Sequence, residues 1–312
     1  MSGTLVLTLN VVHGLIVLSM PIVMVGLVNR TKSLWTGRKG PALLQSGWDL
    51  WRLLHKRPVY STASTPLFRA GAWIVLGASL LAALIAPVLG DLAPLRFARD
   101  FIVFVYALAL ARLFLMLCAL DVGSSFEGMG AAREASFTAY VEPALLLLIG
   151  SAAVATGQTD FSGLIGQWHR TAAFGWLVLP VLAVLFVLLQ AEAARVPVDD
   201  PATHLELTMV HEVMVLDHSG PELAAMQYAC ALKMSLYAGL IAALLNPYDP
   251  RIDAPACVLA SLAIMAGVAI AVGCIESLVA RLRMRHVPAY LMLASLGAAL
   301  CLGATAWLAR SA

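Results

Sequence analysis

The residues able to do chemistry in this chain are ionisable groups placed where lipid should be. Glu142, Glu192 and Glu276 lie near the ends of long apolar runs, Arg112 and Lys233 lie inside such runs, and Asp121 closes one. A charge at that depth costs a few kcal/mol (about 2.5–3.5 on an insertion scale) unless it meets a partner or water. A carboxylate in a low dielectric tends to keep its proton, and a neighbouring charge can make it let go. The chemistry such a set supports is proton or ion transfer through a hydrated acidic funnel. The alternative is static ion pairs, Arg112 with Asp121 and Lys233 with Glu276, that only lock helices together.

The densest charge follows the apolar run 176–189, in EAARVPVDDPATHLELTMVHEVMVLDHS over 192–219. Pro197 and Pro201 break a helix, and Asp199, Asp200 and Thr203 are candidate N-caps for the next. The pattern predicts a helix end, an acidic loop, then a helix over about 202–217. His204, His211 and His218 recur every seven residues on one face of that helix. Ligands two turns apart cannot grip one ion, and His211-Glu212 opens an HExxH pattern that fails at Val215. A solvated or partner-facing histidine stripe is expected, and no metal in this chain. Glu206 and Glu212 are six apart and face different directions, one toward the funnel and one toward a partner.

These groups need a membrane scaffold to position them. Of 312 residues, 61% are hydrophobic and 12% charged, so the bilayer is the solvent for most of the chain. A net charge of +2 gives no reason to expect a nucleic-acid partner. The five cysteines show no CxxC pairing and read as small apolar residues. Eight segments near 5–28, 70–90, 101–120, 139–156, 171–193, 223–246, 255–280 and 287–309 are long enough to span. The expected fold is all-α, one polytopic membrane domain over 1–312 with eight transmembrane helices. The first is read as retained rather than cleaved, because it lacks a basic stretch before it and is followed by one.

Basic residues set the orientation. Loops 29–69, 121–138 and 194–222 carry Arg30, Lys32, Arg38, Lys39, Arg52, Lys56, Arg57, Arg69, Arg133 and Arg195, with Arg281, Arg283 and Arg285 in a shorter one. The opposite side keeps Arg96, Arg99, Arg170, Arg251 and Arg310. Both termini are therefore expected outside, and the inner loops form the face for a partner. Within the first loop, 45–55 reads as a short amphipathic helix whose Trp48 and Trp51 suit the membrane interface.

The pattern E-x-x-R-x-P-x-D in Glu192, Arg195, Pro197 and Asp199, followed by Glu206 and Glu212, resembles subunit 1 of respiratory complex I. DDPATHLELTM followed by HE is similar to the hydrogenase branch of that family, the membrane anchors of formate hydrogenlyase and hydrogenase-4-type complexes. Gly40-Pro41 with Leu44-Gln45, Gly130–Glu134 and Glu142-Pro143 fit as well. The longer GPNRVGP insert of the complex I version is missing, which counts against a quinone site.

The resemblance implies eight helices and no cofactor in this chain. It implies an iron–sulfur small subunit and a [NiFe] large subunit docked on the inner loops, and an antiporter-like membrane subunit beside them. It places the chain in the cytoplasmic (inner) membrane. It carries ion coupling onto Glu142, Glu192, Asp199, Glu206 and Glu212, to which depth and charge add Lys233, Glu276, Arg112 and Asp121. Partner docking falls on Arg195, Asp200, His204, His211, Arg133, Glu134, Gly40, Pro41 and Gln45. The leading expectation is an anchor and ion-coupling subunit of a membrane-bound [NiFe] hydrogenase. The alternatives are a quinone-site subunit of a complex I-type dehydrogenase and a free-standing secondary transporter.

Overall fold

A computed structural model describes residues 3–171, 174–200 and 209–311. Among them the regular secondary structure is helical apart from one isolated bridge between Leu89 and Leu92. Eight helices are long and apolar enough to cross a membrane. They are α1 (Gly3–Trp35), α3 (Pro66–Ile85), α4 (Asp100–Asp121), α5 (Ser125–Thr156), α7 (Phe174–Glu192), α9 (Gly220–Leu245), α10 (Ala254–Leu278) and α11 (Val287–Ser311). Between them lie α2 (Gln45–Leu54), α6 (Phe161–Trp168) and α8 (His211–Met214).

Local signals set several boundaries. Thr65 caps α3 by accepting from Leu67 N, with Pro66 in the first turn. Asp160 does the same for α6 and Asp253 for α10. Gly157, at φ +67°, ends α5 in the left-handed conformation that glycine adopts without strain. The amphipathic helix expected at 45–55 is α2, which buries no residue and leaves Trp48 and Trp51 exposed.

The structure departs from the sequence expectation in three places. Most of the second inner loop, expected over 121–138, is helical: α5 begins at Ser125 and runs on past Pro143. The continuous helix expected over 202–217 does not form in its described part, where the four-residue α8 is followed by turns. His211 and His218 therefore share no helical face, and the short α6 was not anticipated. Residues 201–208, with Glu206 and His204, lie outside the described residues.

The loops sort into two ends. At one, Val59 N donates to Ser219 Oγ at 2.8 Å, Thr65 N to Asp121 at 2.7 Å, and Leu282 N to Pro197 O at 3.1 Å. This is the basic end. At the other, Arg99 N donates to Thr159 O at 2.9 Å and Arg96 pairs with Asp160 at 2.8 Å. Helix α9 is the hub: 78% of its spanning window is buried, against 28–50% in the other seven spans. It packs against α1, α3, α7 and α10, so a charge it carries cannot reach lipid.

Candidate functional site

Four helices bring one charged network together inside the bundle. Arg112 of α4 is buried, and its guanidinium meets three carboxylates. Nε lies 3.3 Å from Glu134 and Nη1 3.0 Å from Glu142, both of α5, while Nη2 pairs closely with Glu192 of α7. From α9, Lys233 Nζ lies 3.6 Å from the second oxygen of Glu192, and the Tyr237 hydroxyl donates to its first at 3.4 Å. Lys233 and Tyr237 are one turn apart and point to the same place.

Two cations here face three carboxylates. With all of them ionised the network carries one surplus negative charge, which a proton would neutralise. The network is closed at one side and open at the other. The side chains of Glu192 and Arg112 are 2% and 3% exposed, whereas Glu142 is 33% exposed.

A second cluster lies apart. Glu276 of α10, fully buried, pairs with Lys32 of α1 at 2.9 Å and with Arg195 at 3.4 Å. Asp199 forms a third: it takes Arg281 at 2.7 Å and accepts from the N–H groups of Val210 and His211 at 3.1 and 2.9 Å. It thus caps the entry to α8 from eleven residues upstream. Arg133 reinforces the same segment by donating to Met209 O at 2.8 Å, and Glu127 accepts from Asp217 N at 3.1 Å.

Several expected placements change. Arg112 does not pair with Asp121, and Lys233 does not pair with Glu276. Asp121 instead accepts from Thr65 N and Oγ1, both at 2.7 Å, joining α4 to the start of α3. Glu134, expected at the docking surface, belongs to the Arg112 network. Arg195, also expected there, is buried beside Glu276. Tyr237, Lys32 and Arg281 are members the sequence reading missed. For Tyr237 the signal was present: it stands four residues after Lys233.

A cavity of about 250 Å³ lies between α1, α2 and the start of α9, with Gln45, Asp49, Arg195, His211, Glu212 and Cys230 on its walls. Cys230 stands one turn before Lys233, and its thiol donates to Ala193 O at 3.6 Å, next to Glu192. The cavity therefore ends beside the charged network. Burial works against a charged His211, but the neighbouring Cys230 and Glu212 outweigh it and raise its pKa. Gly40 and Pro41 lie at the exposed surface, Asp200 is half-buried, and Gln45 donates to Asp49 at 3.0 Å.

The NADH dehydrogenase family model matches residues 8–305. The chain is 30% identical to hydrogenase-4 component C of Escherichia coli over 81% of this chain and 79% of that one. It is 30% identical to formate hydrogenlyase subunit 4 of the same organism, over 71% and 72%. An NADH-quinone oxidoreductase subunit of Orientia tsutsugamushi is 26% identical over 56% of this chain and 51% of that one. In fold it is similar to a chain in the structure of the membrane-bound sulfane sulfur reductase, an archaeal respiratory membrane complex. That likeness has a TM-score of 0.80 at 18% identity and covers 97% and 98% of the two chains. This is a multi-pass membrane protein, and it belongs to the NADH dehydrogenase family of complex I-like membrane subunits, in the branch with the hydrogenase-4 and formate hydrogenlyase membrane subunits.

Proposed function

We propose that this chain is the membrane anchor and proton- or ion-coupling subunit of a membrane-bound [NiFe] hydrogenase complex of the formate hydrogenlyase type, in the inner membrane with both termini outside. The basic end receives an iron–sulfur small subunit and a [NiFe] large subunit, and an antiporter-like membrane subunit lies alongside. The metal centres belong to those partners. What this chain contributes is a path for charge: the polar cavity at the basic end, then Glu192 with Lys233 and Tyr237, then Arg112, then Glu142 at the open edge.

The observation that carries the reading is Arg112 shared among three carboxylates, of which Glu142 is a third exposed. An arginine that must divide its charge holds each carboxylate less firmly than a private partner would. A negative charge arriving near one end then favours proton uptake at another. Glu276 and Asp199, each with its own cations, are read as fixed structural pairs. The cavity volume and the 26% likeness to an NADH-quinone oxidoreductase subunit favour a second reading, a quinone-reactive subunit.

Purification with co-expressed partners separates the two. Nickel and iron–sulfur content in the preparation, with hydrogenase activity toward an artificial dye, supports the first. A dehydrogenase set with quinone-dependent activity supports the second. A chain that purifies alone and stable refutes both and leaves the free-standing transporter. Within the first reading, Glu142→Gln lowers ion movement coupled to turnover by at least about tenfold and leaves dye-linked hydrogenase activity intact. Equal loss of both activities would mean failed assembly.

A further inference from the structure

Helix α2 divides two spaces at the basic end. One side lines the polar cavity, and the other closes an apolar groove of about 300 Å³. Leu50, Trp51 and Leu54 of α2, Trp73 and Leu76 of α3, and Ala225 of α9 are among its walls. Trp51 and Trp73 are at least half exposed, so the groove opens sideways toward lipid. It descends from Pro221 to Tyr228 along α9, seven residues or about 10 Å at a helical rise. That stays within one leaflet of a hydrocarbon core about 30 Å thick.

The mouth of this groove is cationic. Beyond α2 the chain crosses the start of α9 in close contact: a Cβ on Gly220 would meet Lys56 O at 2.9 Å and Pro58 N at 3.2 Å. The crossing holds Lys56 and Arg57 at the end of α9 where Pro221 begins the groove. Arg69 stands one turn above Trp73 and two above Leu76 on the same face of α3, and its guanidinium lies 3.8 Å over the Tyr60 ring. Among the described residues none of these three cations has an ion pair. Glu222, the residue after Pro221, is buried and accepts from Tyr60 at 2.6 Å.

We propose that this groove is a binding site for one anionic phospholipid of the inner leaflet, with an acyl chain against Trp73 and Leu76 and its phosphate among Lys56, Arg57 and Arg69. An apolar channel one leaflet deep fits an acyl chain, and unpaired cations at its interfacial end select a negative headgroup. The lipid would brace α2 from the side opposite the polar cavity.

The test is native mass spectrometry of the full chain with its co-purifying subunits, exchanged into nanodiscs of phosphatidylcholine with a minor share of phosphatidylglycerol. The expected result is selective retention of one phosphatidylglycerol, weakened roughly fivefold for each cation removed in Lys56→Gln, Arg57→Gln and Arg69→Gln. Ala225→Phe, which fills the groove and leaves the cations, abolishes retention while helix content and dye-linked activity persist. Equal retention of both lipids would overturn the proposal, as would retention that survives both kinds of variant. A photo-crosslinker at Trp73 that captures a neighbouring membrane subunit, not lipid, would assign the groove to a protein helix and overturn it too.

Discussion

Arg112 is the residue on which the buried chemistry turns. A guanidinium removed from among three carboxylates leaves several buried charges uncompensated, and breaking a buried pair from one side costs about 3–5 kcal/mol. Arg112→Met should therefore deplete the chain from membranes, as read by immunoblot. Pairing it with Glu192→Met should restore part of the level, because the most buried acid of this network leaves with its partner; a double variant as depleted as the single would contradict that coupling. The positions of Arg112, Lys233, Glu142, Glu192 and Glu276 were legible in the sequence, because a charge inside an apolar run stands out by hydropathy alone. Their partners were not. Pairing depends on how helices cross, so Lys233 meets Glu192 of α7 and not Glu276 of α10, its partner in the static-pair alternative.

Elements failed to declare themselves where polarity and helicity disagree. Residues 125–138 are too polar for a span, yet their alanines, glutamates and arginine are good helix formers, so α5 starts well before its apolar part. The reverse holds over 209–219. The seven-residue histidine spacing suggests a helix, but Asp199, Arg133 and Glu127 satisfy the backbone of this segment from outside and hold it as a clamped turn. Asp199→Asn removes the charge that binds Arg281 and should raise amide exchange in 209–219 while α9 stays protected. Unchanged exchange would mean Arg133 and Glu127 suffice.

His218 gives the same segment a pH limit. It is buried, with its ring centroid 3.9 Å from that of Phe68, and burial outweighs a backbone contact with Phe68 to bring its pKa down to about 4. The unfolded value is about 6.5. Protonation therefore favours the open form: stability is full above pH 6.5 and is lost progressively as pH falls toward 4. Exchange in 209–219 should rise across that window in the wild type and rise less in His218→Gln. A flat profile in the wild type would show that His218 stays neutral for another reason.

At the scale of the whole molecule, the described residues hold eight helices long and apolar enough to cross a membrane, and the polar loops of one end gather the cavity and the Asp199 clasp over the buried network. The fold class, the number of spans and the family were readable from hydropathy and from the Glu192–Asp199 pattern. In the function proposed, the surplus carboxylate of the Arg112 network changes protonation when a bound redox partner changes charge. Redox-difference infrared spectroscopy of the purified complex tests it most directly. A protonated-carboxyl band should appear or shift on reduction and vanish in Glu142→Gln; a spectrum without such a band, or one identical in Glu142→Gln, Glu192→Gln and Glu134→Gln, would show that the network is a static brace.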